Sequence, residues 1–262
     1  MIELGKIYKY SDYICTVNML KDKYNKNMRV INIGKTWENR DIALFIIGRG
    51  NNSVAFSSGV HGRESINPVI MLKIIEDCCS YREEYWRENT LYVIPLLNPD
   101  GYVTAMERGY RMWKGNGRGV DINRNFPSVT WKKKFIGDKA LSEPETMALV
   151  RFFNQYKTDM YIDFHSRGKE IYYYRSAMDE EYNRKQLKIA GKISKLTGYT
   201  IAEPFREMET GDGGGNTVHY FSEMYKKPAL TVETVSGDAD FPLEPYEQKD
   251  AYNEIKDIWR LD

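Results

Sequence analysis

Short apolar runs alternate with longer segments of helical periodicity along this sequence, and that order leaves few architectures open. The runs are rich in branched side chains and have the length of buried strands. They cover residues 42–47, 54–58, 91–97, 160–164, 171–174 and 229–233. Strands and helices interleave without repeats or a proline-rich linker. This predicts one α/β domain, residues 1–262, in which helices cover both faces of a single sheet.

Helix-capping residues and glycine clusters define the segments between the strands. Ser11 and Asn67 can cap two helices, and Ser142 with Glu145 matches the capping-box pattern. The predicted helices cover residues 11–27, 67–82, 142–156, 179–196 and 245–260. Periodicity disappears over 108–130, which predicts a long functional loop. A second glycine-rich stretch, 210–217, lacks the lysine and hydroxyl residues that a phosphate-binding loop requires.

Charge, hydropathy and cysteine usage exclude several classes of partner. The formal net charge is +1, from 38 basic and 37 acidic residues, so no global field attracts nucleic acid or an anionic membrane. The sequence has no apolar run that could span a bilayer and no secretory-signal pattern. Its three cysteines match neither a disulfide framework nor a cysteine zinc site. We expect a cytoplasmic protein; the sequence does not specify its oligomeric state.

Two of the three histidines follow predicted strands. His61 comes shortly after the run 54–58, and His165 directly follows the run 160–164. Ligands of open α/β sheets collect at the carboxyl ends of strands. Glu64, three residues after His61, adds a carboxylate. Because a catalytic zinc takes three protein ligands and keeps a fourth position open, these three residues are predicted to bind one zinc ion.

A further carboxylate, Glu233, ends the apolar run 229–233 at the sheet edge where both histidines are expected. Burying a carboxylate without a partner costs several kcal/mol, so a cation or a reacting water should lie beside it. In zinc-dependent hydrolysis, a carboxylate that is not a ligand can take a proton from the attacking water. Glu233 is therefore predicted to be the general base; an exposed carboxylate at a strand end is the alternative.

Arginines in the loop 108–130 are candidates for anion binding. Arg124 and its neighbour Asn123 can grip a carboxylate, because a planar guanidinium matches two carboxylate oxygens. If Arg111 faces the metal, it would stabilise the oxyanion that forms on attack. A solvated loop arginine is the alternative for both positions.

In their order along the chain, these motifs resemble those of the zinc carboxypeptidases related to carboxypeptidases A and B. The resemblance covers roughly residues 40–240 and rests on His61-Gly62-Arg63-Glu64, Asn98-Pro99-Asp100-Gly101-Tyr102, Arg111 with Trp113, the segment 121–127, Phe164-His165-Ser166 and Thr231-Val232-Glu233. It implies a single-domain α/β/α sandwich with a mixed, mostly parallel sheet of about eight strands. It also implies one zinc ion and hydrolysis of a peptide bond beside a free carboxylate. Asn123 and Arg124 would bind that carboxylate, Arg63 would contact the substrate, and Arg111 would stabilise the oxyanion.

The stretch 213–221 departs from the digestive members of that family. It has no tyrosine that aligns with their mobile substrate-covering tyrosine, because Tyr220 lies too close to Glu233. It is instead similar to bacterial members that cut cell-wall peptides between D-glutamate and a diamino acid, which implies a muropeptide as a candidate substrate. In the family this loop lines the pocket for the residue after the cut bond, so Val218 and His219 are candidate specificity residues. We interpret His219 as a helix-surface histidine rather than a second metal ligand.

Two alternative functions remain open from the sequence. Deacylases of N-acylamino acids that resemble aspartoacylase share the zinc pattern and a similar Asn-Arg-x-Phe-Pro segment, although Arg63 favours a peptidase. A catalytically inactive module that binds peptide C-termini is the other alternative. The presence of ligands, base and oxyanion arginine argues against it.

Overall fold

The computed structural model describes residues 2–133, 139–206 and 214–261. Within them, eight strands form one sheet: β1 (Met28–Lys35), β2 (Asp41–Gly48), β3 (Asn52–Ser58), β4 (Asn89–Ile94), β5 (Met160–Ser166), β6 (Glu170–Tyr172), β7 (Thr200–Ile201) and β8 (Ala229–Thr234). Their spatial order is β1-β2-β4-β3-β5-β8-β6-β7. The pairs β3–β4, β3–β5, β5–β8 and β6–β7 are parallel and the other three are antiparallel. The predicted mixed α/β sheet is confirmed.

Helices cover the sheet on both sides. They are α1 (Tyr10–Lys23), α2 (Ile66–Cys79), α3 (Tyr85–Glu88), α4 (Pro99–Met106), α5 (Pro144–Tyr156), α6 (Glu180–Thr197), α7 (Thr217–Tyr225) and α8 (Glu247–Ile255), with short 3-10 helices at Ile122–Arg124 and Ile258–Arg260. No helix in the described ranges is long and apolar enough to cross a lipid bilayer.

Alternation of side chains along β2 explains the two layers. Ile42, Leu44 and Ile46 lie in one buried cluster with residues of α5 and α7. Phe45 and Ile47, which point to the opposite face, lie in a second cluster with residues of α1, α2, α6 and α8. Because β2 is apolar on both faces, it can be buried only between two helical layers.

Several elements differ from the sequence predictions. β1 was not predicted, because it is an edge strand whose burial does not follow a regular alternation. α7 begins directly after a glycine stretch, and α4 contains proline and glycine in its first turn, so neither was predicted. The capping box is wrong, since Glu143 precedes α5 and Ser142 Oγ donates to its side chain at 2.7 Å. Of the stretch 210–217, only residues 214–217 lie within the described part.

Three adjacent parallel strands determine where the functional residues meet. β5 lies between β3 and β8, and all three run in the same direction. Their carboxyl ends therefore share one edge of the sheet, where His165 pairs in register with Glu233. The loop after β3 leads from the same edge into α2 and carries His61 and Glu64.

Candidate active site

Three buried side chains converge at this edge. One nitrogen from each of His61 and His165 and one oxygen of Glu64 lie within 4.8 Å of one another. Nδ1 of His61 is 2.5 Å from Glu64 Oε1, and Nδ1 of His165 is 3.0 Å from Glu64 Oε2. The structure therefore brings together the three predicted ligands, although they are separated by about a hundred positions in the chain.

The charges around this cluster favour a cation. Although burial opposes ionisation, the two histidines hold the pKa of Glu64 well below its usual range. Burial likewise opposes protonation of His165, but Asp163 and Glu64 raise its pKa well above the usual value. Two imidazole nitrogens and one carboxylate oxygen form a donor set that zinc accepts in catalytic sites. The residues present therefore fit a zinc ion.

Each histidine also faces a second carboxylate on its other ring nitrogen. Nε2 of His165 is 2.9 Å from Asp163 Oδ2, and Nε2 of His61 is 3.3 Å from Asp121 Oδ1, an ion-pair distance without hydrogen-bond geometry. Such partners orient the imidazole and leave Nδ1 free to ligate a metal. Neither aspartate was predicted from the sequence to have a role. Asp163 had a usable signal, because it lies two residues before His165 in a strand and so points to the same face.

Glu233 lies beside the cluster and is half-buried at the end of β8. Its Oε2 has no hydrogen-bond partner among the residues that the structure describes. Burial raises the pKa of Glu233 to about 8, and the negative charges of Glu64 and Asp163 act in the same direction. A bound cation would oppose this shift. A carboxylate at this position can exchange protons with a water molecule in the cavity.

The cluster opens into a cavity of about 560 Å³. Its walls include the metal ligands, Glu233 and three residues predicted to bind substrate, namely Arg63, Asn123 and Arg124. Asn123 is held in place because Thr217 N donates to its Oδ1 at 3.1 Å. The Arg124 guanidinium donates to the Asn123 carbonyl at 2.8 Å, which fixes it at the same wall. The predicted anion site and metal site thus share one cavity.

Arg111 is not at this wall. Its side chain is exposed and lines two other surface pockets. Of the residues in the loop segment 111–114, Lys114 lines the cavity instead, and its Nζ is 2.8 Å from Asp121 Oδ2. Because the loop 108–130 has no periodicity, its sequence does not indicate whether Arg111 or Lys114 faces the cavity.

The structure does not place Val218 or His219 at the cavity wall. Val218 is buried in the hydrophobic cluster that contains Leu44 of β2, and His219 is only 6% exposed. The interpretation of His219 as a surface histidine is therefore wrong. Asn216, which caps α7 by accepting from His219 N at 2.8 Å, lines the cavity instead.

Comparisons with known proteins agree with this geometry. The family model described as zinc carboxypeptidase matches residues 14–240. The human carboxypeptidase N catalytic chain is 25% identical over 280 residues, which cover 89% of this chain and 59% of that protein. Gamma-D-glutamyl-L-diamino acid endopeptidase 1 of Lysinibacillus sphaericus is 20% identical, covering 92% of this chain and 68% of that protein. The chain therefore spans less than two thirds of the length of its human relative.

Solved structures show the same fold. Bovine thrombin-activatable fibrinolysis inhibitor, in complex with tick carboxypeptidase inhibitor, superposes with a TM-score of 0.86 at 19% identity. The match covers 98% of this chain and 96% of that one. Carboxypeptidase A of Helicoverpa armigera gives a TM-score of 0.84 at 21% identity, covering 98% of this chain and 73% of that one.

Proposed function

This chain belongs to the zinc carboxypeptidase family, and we propose that it uses one zinc ion to hydrolyse a peptide bond beside a free carboxylate. The observation that carries the proposal is the convergence of three ligand atoms within 4.8 Å, beside Glu233 Oε2, which has no hydrogen-bond partner among the described residues. His61, Glu64 and His165 would hold the ion, which would supply Lewis-acid polarisation and lower the pKa of water. This arrangement leaves Glu233 available for proton transfer.

Glu233 acts as the general base in this proposal. Its carboxylate takes a proton from the attacking water and then gives it to the leaving amine. The position suits both steps, because the half-buried side chain lies at the cavity wall and Glu233 pairs in register with His165. Burial raises the pKa of Glu233 and a bound cation would lower it, so Glu233 can accept the proton of the water as a carboxylate in the metal-loaded enzyme.

Arg124 and Asn123 bind the free carboxylate of the substrate. Both line the cavity, and the backbone at Thr217 and the Asn123 carbonyl hold their side chains in place. Lys114 takes the electrophilic role expected of Arg111, since its ammonium lies at the cavity wall and pairs with Asp121, the carboxylate that also faces His61. An ammonium is a point charge, so it can stabilise developing negative charge without a fixed fork geometry.

The substrate class that we propose is a cell-wall peptide with a γ-glutamyl bond to a diamino acid. The support is the name of the Lysinibacillus relative and the motif at 213–221. A substrate panel tests this directly. It should contain muropeptide tri- and tetrapeptides, ordinary peptides with free C-termini and N-acylamino acids. Cleavage of N-acylamino acids alone would favour a deacylase instead.

Replacement of Glu233 by Gln tests the mechanism. Losing a general base reduces turnover by about 100- to 10,000-fold, while the three metal ligands stay intact. We therefore expect kcat to fall by that factor and the zinc content, measured by atomic absorption, to stay at one ion per chain. Glu180→Gln, an exposed residue on α6, is the matched control. Full activity in Glu233→Gln would disprove the assignment.

A further inference from the structure

We propose that the substrate carries a second carboxylate, on the acyl side of the scissile bond, and that Arg63 and Arg167 bind it. This inference rests on the proposed peptidase function and names the class of substrate that the site accepts. Both arginines line the same cavity as the metal ligands. Neither was needed for the steps derived above.

The two guanidinium groups lie against one aromatic ring. Cζ of Arg63 is 4.5 Å from the centroid of the Phe241 ring, and Cζ of Arg167 is 5.7 Å from it. Arg167 also donates to the Gly237 carbonyl. The Nε atom of Arg63 is buried and has no hydrogen-bond partner in the described ranges. The ring and the carbonyl therefore position two planar cations at one wall and leave donors unused.

The acids that line the cavity are engaged elsewhere. Glu170 is ion-paired with Arg206 and accepts from the Tyr172 hydroxyl at 2.8 Å. Glu64 belongs to the metal cluster, and Glu233 has its own role. Within residues 2–133, 139–206 and 214–261, neither Arg63 nor Arg167 has a carboxylate within 4.0 Å.

Two guanidinium groups on one ring, neither with a carboxylate within 4.0 Å among the described residues, offer hydrogen-bond donors to an anion. A guanidinium binds a carboxylate through two parallel N–H bonds, which gives direction as well as charge. The chemistry therefore favours a carboxylate over a neutral side chain at this wall.

Arg124 has different neighbours from Arg63 and Arg167 in the same cavity. The Arg124 backbone carbonyl accepts from Trp131 Nε1 at 3.0 Å and packs near Gly215. Arg63 and Arg167 contact Gly237 and Phe241 instead. If Arg124 holds the carboxylate of the leaving residue, the other pair faces the part of the substrate before the cut bond. Two sources supply such a group: an acidic side chain in an α-linked peptide, or the free α-carboxylate of a γ-linked glutamyl residue.

Peptides that share one leaving residue test the proposal. The acyl residue is α-linked Glu, α-linked Gln, α-linked Lys or γ-linked D-Glu, assayed on the zinc-loaded enzyme. We expect the better of the two carboxylate substrates to exceed the Gln peptide in kcat/KM by about 10- to 100-fold, the usual effect of a charge-assisted hydrogen bond. The Lys peptide should be slowest. Which of the two carboxylate peptides is faster identifies the source.

Variants assign the preference to the arginines. Arg167→Gln and Arg63→Gln should each move the carboxylate-to-Gln ratio towards one, and Arg167→Lys should retain part of it because the charge remains. Arg184→Gln, on the exposed face of α6, is the matched control and should keep the full ratio. Equal rates for Glu, γ-D-Glu and Gln peptides would overturn the inference while leaving the peptidase proposal intact. A ratio that survives both Gln variants would also overturn it. Zinc-loaded enzyme that hydrolyses none of the peptides would instead refute the proposed function.

Discussion

Glu145 is a buried acid that does not line the candidate active site, and its replacement by Gln should make the protein more stable at alkaline pH. The residue lies in the first turn of α5 and is fully buried. Its Oε2 accepts from Asn116 Nδ2 at 3.2 Å, whereas Oε1 has no partner among the described residues. Burial, with help from the charges of Asp100 and Glu143, raises the pKa of Glu145 from 4.5 to about 7.

The sign of the effect follows from proton linkage. A carboxyl whose pKa is higher in the folded protein favours folding while it is protonated. Its contribution is fully present below pH 4.5, declines as the pH rises and is lost above about pH 7. The interval between the two pKa values corresponds to about 3 kcal/mol, an upper value because the native structure can relax around the charge.

Glu145→Gln removes this ionisation while keeping the shape of the side chain. The amide oxygen can still accept from Asn116, and any cost of burying the new NH2 group is the same at every pH. We therefore expect the difference in unfolding free energy, variant minus parent, to increase by up to about 3 kcal/mol between pH 4.5 and 8. Urea denaturation followed by tryptophan fluorescence at several pH values measures it.

The control for this experiment is Glu180→Gln, another acid in the first turn of a helix but an exposed one. It should change the unfolding free energy by less than about 0.5 kcal/mol at all pH values. A difference for Glu145→Gln that does not vary with pH would refute the reasoning, because it would mean that the buried carboxyl titrates as it does in the unfolded chain.

Two further predictions concern the metal cluster. Asp163→Asn should weaken zinc binding by about 10- to 100-fold, as loss of a partner carboxylate does, and a chelator competition that gives the parent dissociation constant would contradict this. Gly62→Ala should destabilise the protein by about 1–3 kcal/mol and lower its zinc content, because a Cβ there would lie 2.2 Å from the Gly101 carbonyl oxygen. Its control, Gly191→Ala, lies in a helix with open space around it and should stabilise by up to about 1 kcal/mol; urea denaturation of both variants decides.

The metal ligands could be predicted because each follows an element whose apolar pattern is unmistakable. β3 and β5 are buried strands, so a histidine at or just beyond the end of each has a definite place even without coordinates. Glu233 was found in the same way, from the end of β8. Here the sequence pattern and the parallel register together determine which residues meet.

The cavity wall could not be predicted in the same way. Arg111 and Lys114 lie three residues apart in a loop without periodicity, so only the coordinates show that Lys114 faces the cavity. His219 was interpreted as exposed on a helix because the sequence did not give the bounds of α7, and without them the buried face of that helix could not be identified. Arg167 lies just beyond β5, and its contacts with Gly237 and Phe241 join segments about 70 positions apart.

The metal ligands and the base lie at or near strand ends, whereas the substrate-contacting residues lie in loops, and this difference affects the chemistry of the site. Neighbouring strands lie about 4.8 Å apart, so residues at the ends of β3, β5 and β8 reach one ion and one water without long side chains. The metal ligands and the base are thus positioned by the sheet, which the two hydrophobic layers hold rigid. The residues that contact the rest of the substrate, Arg124 and Arg167, lie in loops or short turns whose backbone can change without disturbing that sheet. Zinc chemistry and substrate preference can therefore vary independently, so a change at Arg167 should alter which peptide is cut and leave zinc affinity unaffected.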